Sequence, residues 1–509
     1  MSRLKNLVLA VVAGLMLSAA FPDIGAWFLA PVAIGVLFIA VSQSRARGAF
    51  GLGFVFGMAF FLVHVSWIKF AVGPVPWVAL CAACAAYFGL ACAVFAHANW
   101  AGFFDGRPWL TVPVFAVAWV AAETVRSFGP FGGFPWGRLA FAVVDAPVVN
   151  LAKLGGAPLV SLAVAVTGGF LGLAWMALRE KRALTAVGAP VLALAIMLAP
   201  LGVPLDERPE VGTLRVGWAQ GNVPNEGLDS LQQARLVTQN HTAATLQLAQ
   251  EAAAPLDLTV WPENSVDIDP RIDEPTRSQL NLAAQAVGTP LLIGTVDYSP
   301  PGGRYNTSLI WLPSGEPAGE YRKQQPAAFA EYIPIRSIAR LFSPAVDRVT
   351  SDMLPGDEPA FIDVDIASLG RAVRVGTIIC FEVAYDWIAR QSASHEAEFL
   401  AVQTNNATFG MTAESTQQLA MTRLRAIETG KAALQVSTVG VSGVVTPAGR
   451  LIDRSELFTQ AWGETEIPLR TSVTPAVRYG AFLEWGVVAI AALTLIGAVR
   501  VRLDERYEW

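Results

Sequence analysis

The chain has 509 residues, of which 53% are hydrophobic and only 15% charged, with a mean hydropathy of +0.46. A composition this apolar excludes an ordinary soluble globular protein. The formal net charge of -5 sums two unlike parts, an acid-poor stretch to about residue 202 and a normal globular mix over 203–479, and no basic tract of the kind that tracks nucleic acid is present.

In chain order, apolar runs cover residues 6–21, 25–42, 48–68, 77–97, 109–125, 155–178, 184–201 and 481–499. Each is close to the roughly 20 residues a helix needs to cross a bilayer. Arg3 and Lys5 before the first run could suggest a secretory leader, but the runs that follow make it the first of eight spans. With eight spans, Arg3, Lys5, Arg45, Arg47, Arg107, Arg179, Lys181, Arg182, Arg500, Arg502 and Arg506 share one side, and positive charge marks the cytoplasmic side. Lys69, Arg126 and Arg138 run against that trend. The expectation is an inner-membrane protein with both termini cytoplasmic: a seven-span domain over 1–202, an exported domain over 203–479, and an eighth span with its tail over 480–509.

Polar residues inside the spans cluster near their ends. His64, Trp67 and Lys69 fit interface anchors. Glu123 and Arg126, three residues apart on a helix, can face one another and share the cost of lying near hydrocarbon. The Gly/Pro/aromatic stretch 129–137 cannot continue a helix, so it reads as a packed irregular or re-entrant segment, or as a plain turn.

The exported part predicts strands at 214–219, 256–260, 291–296, 305–312, 361–366, 373–379, 399–404 and 433–438. A polar turn at 220–228 leads into a helical pattern to about 253, and further helices are predicted at 276–287, 382–393 and 415–429. An extended loop fills the stretch to about 350, and 440–450 reads as a hairpin-like turn. The mixture of β-α-β-α units with β-β neighbours predicts an α/β domain, in a four-layer α-β-β-α sandwich.

Cys81, Cys84 and Cys92 lie within the fourth span and read as packing residues, which leaves Cys380 as the sole cysteine of the exported domain. A free thiol in an oxidising compartment is a liability unless it has a task. Residues 373–386, V-R-V-G-T-I-I-C-F-E-V-A-Y-D, have the form of a strand that delivers Cys380 to a sharp turn before a helix. The alternative is a small buried hydrophobe at a strand end. His64, His97, His241 and His395 are poorly placed for a Cys-His pair. Strand ends do supply Glu263, Lys323 and Cys380. A thiol with a pKa of roughly 8.5 is only about 3% ionised at neutral pH. Glu263 can take its proton, Lys323 can stabilise the thiolate and an oxyanion, and the Phe381 N–H is a second oxyanion donor. Alone, Glu263 could be a helix-start acid and Lys323 a surface lysine. No EF-hand, P-loop, GxGxxG or paired CxxC site is present, and no cofactor or metal is expected.

W-P-E-N (261–264), Y-R-K with E-Y-I-P seven residues on (321–334), and I-I-C-F-E (378–382) resemble the nitrilase or carbon–nitrogen hydrolase superfamily, with its Glu-Lys-Cys triad. The eight-span layout, G-F-P-W-G (133–137) and L-A-M-T-R-L-R-A-I-E-T-G (419–430) resemble the bacterial apolipoprotein N-acyltransferase family over essentially the whole chain. The resemblance implies Glu263 as general base, Lys323 as stabiliser and Cys380 as nucleophile. It further implies Glu331 as a second acid that orients Lys323 and the amine, and Glu382 as a residue lining the site. It implies a ping-pong transfer of an acyl chain from a phospholipid, typically phosphatidylethanolamine, to the α-amine of diacylglyceryl-cysteine in an apolipoprotein at the bilayer. The chain departs from the family pattern at 324–330, at Phe381 where Tyr is frequent, and at T-N-N-A-T-F (404–409), which bears on loop shape and substrate preference. A membrane-anchored nitrilase-like amidase and a non-catalytic membrane scaffold are the alternatives; the scaffold would call for more polar residues within the spans.

Overall fold

A computed structural model describes residues 3–102, 104, 107–223, 235–266 and 268–507. The chain divides into two units, one of residues 1–66, 75–204 and 479–509 and one of residues 67–74 and 205–478. The first comprises α1 (Arg3–Ala20), α2 (Leu29–Val41), α3 (Ala46–His64) and, after the short α4 (Ile68–Val72) of the second unit, α5 (Pro74–Asn99), α6 (Thr111–Phe128), α7 (Leu139–Ala142), α8 (Ala152–Arg179) and α9 (Ala183–Leu198), with the C-terminal helix Pro475–Tyr507.

Among the described residues, seven helices are long and apolar enough to cross a membrane. The predicted second span is the exception, because residues 21–28 form turns, with Gly25 left-handed at φ 68°. What remains is a 13-residue helix, about 20 Å long against the roughly 30 Å of a hydrocarbon core. Helices approach closely where side chains are small: a Cβ on Gly57 would lie 2.6 Å from Ala85 Cα, and one on Gly35 2.8 Å from the Gly168 carbonyl oxygen.

The segment after α6 is irregular, and buried polar side chains satisfy its backbone. Arg126 Nη1 donates to the carbonyls of Phe134 and Trp136 at 2.5 and 2.6 Å. Glu123 Oε1 accepts from the Leu139 N–H at 3.0 Å and the Trp119 indole at 2.9 Å. Glu123 and Arg126 thus serve this segment, rather than acting chiefly on each other as their spacing suggests. His64 is buried in an aromatic cluster, its ring 4.2 Å from Phe21 and 4.7 Å from Phe60, rather than exposed as an anchor would be.

The second unit contains β1 (Thr213–Gln220), α10 (Leu236–Glu251), β2 (Leu258–Val260), α11 (Glu274–Val287), β3 (Leu291–Asp297), β4 (Tyr305–Trp311), β5 (Pro317–Arg322), α12 (Arg336–Ala339), β6 (Phe361–Ile366), β7 (Arg371–Ile379), α13 (Asp386–Ser394), β8 (Phe399–Thr404), α14 (Glu414–Thr429), β9 (Ala433–Ser437), β10 (Gly443–Val445), β11 (Leu451–Arg454) and β12 (Ala461–Pro468); the C-terminal helix is α15 (Pro475–Tyr507). Among the described residues the strands form two six-stranded sheets, ordered β12-β1-β2-β3-β4-β5 and β11-β10-β9-β8-β7-β6. Helices α10 and α11 cover the first sheet and α13 and α14 the second, giving the expected four-layer α-β-β-α sandwich. β3 and β8 are buried along their whole length, as strands covered on both faces must be.

Four strands are absent from the sequence reading: β5 (P-A-G-E-Y-R), β12 (A-W-G-E-T-E-I-P), and β10 and β11, which fall in and just after the stretch 440–450 read as a hairpin-like turn. β5, β11 and β12 are sheet edges, where polar, Pro- and Gly-containing segments pair without an apolar signature. The single helix expected at 382–393 is two elements, a 3-10 turn over Cys380–Ala384 and then α13. The polar turn expected at 220–228 and the start of the helical pattern after it fall largely outside the described residues.

Candidate active site

Three strands, β2 and β5 of the first sheet and β7 of the second, end in three side chains that meet at a common rim. β2 runs through Trp261 and Pro262 to Glu263, and the Trp261 N–H donates to the Leu292 carbonyl at 2.8 Å. Gln403 from the other sheet clamps the same turn, donating to the Trp261 carbonyl at 2.6 Å. Gly294 on β3 must be glycine here, since a Cβ would lie 2.6 Å from the Pro262 oxygen and 2.7 Å from Glu263 Cα. β5 ends at Arg322 and hands on Lys323, whose N–H donates to the Asn306 carbonyl at 2.9 Å.

β7 ends at Ile379, and Cys380 follows with φ 52°. A left-handed backbone at a non-glycine residue costs roughly 1–2 kcal/mol and persists where the surroundings enforce it. Glu382 supplies that enforcement. Its fully buried carboxylate accepts the Ile379 N–H at 2.8 Å, the Gln324 N–H at 2.7 Å, the Gln325 N–H at 3.1 Å and the Tyr321 hydroxyl at 2.9 Å. Glu382 therefore ties the loop after Lys323 to the turn at Cys380, a sharper position than merely lining the site. Phe381 is the first residue past Cys380 in the 3-10 turn, with its ring edge-on to Tyr385 at 5.7 Å.

Lys323 Nζ lies 2.8 Å from Glu331 Oε1 and 3.3 Å from Glu263 Oε1, with its side chain 2% exposed. Asn306 on β4 donates to both acids, at 2.7 Å to Glu263 and 3.3 Å to Glu331, and the Ala327 N–H reaches Glu331 Oε2 at 2.6 Å. The Glu263 carboxylate lies close enough to the Cys380 thiol to act on its charge, and Gln418 Nε2 approaches the sulfur to 3.6 Å. The predicted residues Glu263, Lys323, Glu331 and Cys380 thus form one cluster. Asn306 and Gln418 join it without having been singled out in the sequence, where neither carries a motif.

The electrostatics favour a neutral thiol at rest. Burial, then the negative charge of Glu263, pushes the Cys380 thiol well above its usual value, against the pull of Lys323. Burial opposes the charge on Lys323, yet Glu331 and Glu263 hold its ammonium well above the ordinary lysine range. Burial also raises Glu263, with Lys323 acting in the opposite sense, and pushes Glu382 up to about 7. A neutral thiol beside an acid and a fixed cation can pass its proton to the acid as it attacks a carbonyl, while the cation meets the charge developing on oxygen. Among the described residues, no group of three or more His, Cys, Asp or Glu side chains is placed to hold a metal ion.

Comparison with known proteins places this geometry in context. Residues 13–170 match the apolipoprotein N-acyltransferase N-terminal domain and residues 230–472 match carbon-nitrogen hydrolase. The apolipoprotein N-acyltransferase of Mycolicibacterium smegmatis is 35% identical, over 97% of this chain and 85% of its own. That of Azotobacter vinelandii is 29% identical, over 98% of this chain and 96% of its own. The crystal structure of an amidase from Nesterenkonia sp. aligns over 54% of this chain and 96% of its own, at 17% identity and a TM-score of 0.38.

Proposed function

We infer that this chain, which belongs to the apolipoprotein N-acyltransferase family, is a multi-pass membrane N-acyltransferase that moves an acyl chain from a phospholipid to the α-amine of the diacylglyceryl-cysteine of an apolipoprotein, through a thioester on Cys380. The observation that carries the reading is the meeting of Glu263, Lys323 and Cys380 at the ends of β2, β5 and β7, with Glu263 and Lys323 buried and ion-paired at 3.3 Å and both acting electrostatically on the half-buried thiol.

In the first half-reaction Glu263 takes the thiol proton as Cys380 Sγ attacks the phospholipid ester carbonyl. Lys323 Nζ and the Phe381 N–H face the oxyanion. The tetrahedral adduct collapses with loss of the lysophospholipid, whose alkoxide receives the proton from Glu263. In the second half-reaction the lipoprotein amine gives a proton to Glu263 and attacks the thioester. The amide forms, the Cys380 thiolate leaves, and Glu263 returns the proton to it. Glu331 and Asn306 hold Lys323 and Glu263 in register throughout. Transfer prevails over hydrolysis only if water reaches the thioester more slowly than the amine, and a site fed from the bilayer favours that. The distribution of Arg and Lys among the short connections supports cytoplasmic termini and a catalytic unit on the periplasmic side.

The test is to incubate full-length protein in detergent with acyl-labelled phosphatidylethanolamine and follow a hydroxylamine-labile adduct. Wild type is expected to form the adduct with release of lysophospholipid, Cys380→Ala to form none, and Lys323→Met to form it about 10²–10³-fold more slowly. An equal adduct in Cys380→Ala, or none in wild type, refutes the mechanism. On intact spheroplasts, labelling of Cys380 by an impermeant thiol reagent only after the membrane is opened would invert the orientation.

A further inference from the structure

The cluster around Asn406 and α14 belongs to no part of the mechanism above. Gln418 on α14 is fully buried, and its Nε2 is directed at Cys380 Sγ at 3.6 Å, within reach of a hydrogen bond to sulfur. Its Oε1 accepts from Asn406 Nδ2 at 3.0 Å. Asn406 is itself fixed: the Thr404 hydroxyl and the Ser437 hydroxyl converge on its Oδ1 at 3.0 and 2.5 Å, and its Nδ2 also donates to Glu414 Oε2 at 2.5 Å. The Asn406 amide thus turns its oxygen to the two hydroxyls and its nitrogen to Glu414 and Gln418. In that orientation Gln418 must turn its carbonyl to Asn406 and its NH2 to the sulfur. A buried glutamine is more often a structural filler, but a filler does not need its donor end aimed at a thiol by a second amide.

We propose that Gln418 is a further catalytic residue, whose side-chain amide stabilises the Cys380 thiolate, and that Asn406 is the positioning residue that holds this amide as a donor. The inference rests on the thioester reading above for its use in acyl transfer. Lys323 is engaged by two acids and serves the oxygen that develops charge, whereas Gln418 addresses the sulfur itself. Its donor serves both moments at which Sγ carries charge: the attack, when Glu263 has taken the proton, and the second half-reaction, when the C–S bond breaks and the electron pair returns to sulfur.

The test uses full-length protein in detergent and reads alkylation of Cys380 by iodoacetamide across pH, with the Cys380 peptide followed by mass spectrometry so that Cys81, Cys84 and Cys92 do not contribute. The titratable groups that face the thiol, Glu263, Lys323, Glu331 and Glu414, are the same in wild type and Gln418→Met. Gln418→Met keeps length and bulk but removes the donor. The alkylation profile is expected to move up by about one pH unit, a roughly ten-fold slower reaction at neutral pH, as fits a lost hydrogen bond to a charged group. Acylation by phospholipid is expected to fall by a similar factor in kcat with KM unchanged. Asn406→Ala releases the Gln418 amide without adding charge and is expected to shift the profile in the same direction by less; it decides the matter if Gln418→Met does not fold. A profile that superimposes on wild type in the folded variant overturns the proposal. Iodoacetamide requires no lipid, so this result is independent of whether wild type forms the acyl adduct.

Discussion

Glu414 holds a proton that a surface glutamate would lose. Burial pushes its carboxyl up to about 8, with the Asn406 hydrogen bond opposing and the charge of Glu263 adding to the shift. In the unfolded chain the same group titrates near 4.3. Because the folded value is the higher one, the stability tied to the bound proton is fully present below about pH 4.3 and is lost as pH rises through about 8. Glu414→Gln, an uncharged isostere, removes that dependence. Wild type should therefore lose stability relative to the variant between pH 5 and 9, by up to a few kcal/mol at about 1.4 kcal/mol per unit. Thermal midpoints in detergent check this, and parallel curves for the two proteins would refute it. At this scale Glu263, Lys323 and Cys380 were legible because each leaves a predicted strand or its adjoining loop with a reactive group. Asn306, Gln418 and Glu414 were not, since a polar residue in a strand or helix acquires meaning only from what lies across from it.

Elements fix the site to within fractions of an ångström. β3 passes so close to the turn carrying Glu263 that Gly294 has no room for a methyl group. Gly294→Ala must push β3 away from the Pro262–Asn264 backbone, at a cost of about 1–3 kcal/mol for overpacking. It should also slow formation of the Cys380 adduct, because the placement of Glu263 against the thiol and its contact with Lys323 move with that turn. Thermal unfolding and the hydroxylamine-labile adduct, measured on the same sample, report the two effects. A stable variant with full acylation would show that the turn is free to shift. The central strands were legible from their apolar runs. β5 and β12 were not, although β5 carries Lys323 to the rim, because edge strands need no apolar signature to pair.

At the scale of the whole molecule, one buried polar contact in the membrane unit joins residues 346 apart. Arg138 Nη2 and Glu484 on α15 meet at 3.0 Å, with side chains 2% and 1% exposed. Removing one partner leaves a buried charge, and Arg138→Met should destabilise the unit by about 3–5 kcal/mol. Replacing both, in Arg138→Met with Glu484→Met, should restore most of the loss, since two apolar side chains bury without an uncompensated charge. Thermal midpoints of the single and double variants decide it; a double variant no better than the single would show that the pair acts through other partners. The sequence by itself determined that the chain is a multi-span membrane protein carrying an α/β sandwich, and it marked Glu263, Lys323 and Cys380. Composition, hydrophobic period and motif are local properties, and each of those conclusions depends only on them. Tertiary structure alone decided that α2 is too short to resemble its neighbours, that Arg126 and Glu123 serve the irregular segment, and that Glu382 braces the turn at Cys380. It alone set a second amide relay against the sulfur. These depend on which distant strands and helices pack together, and that is settled by the shape of the folded core.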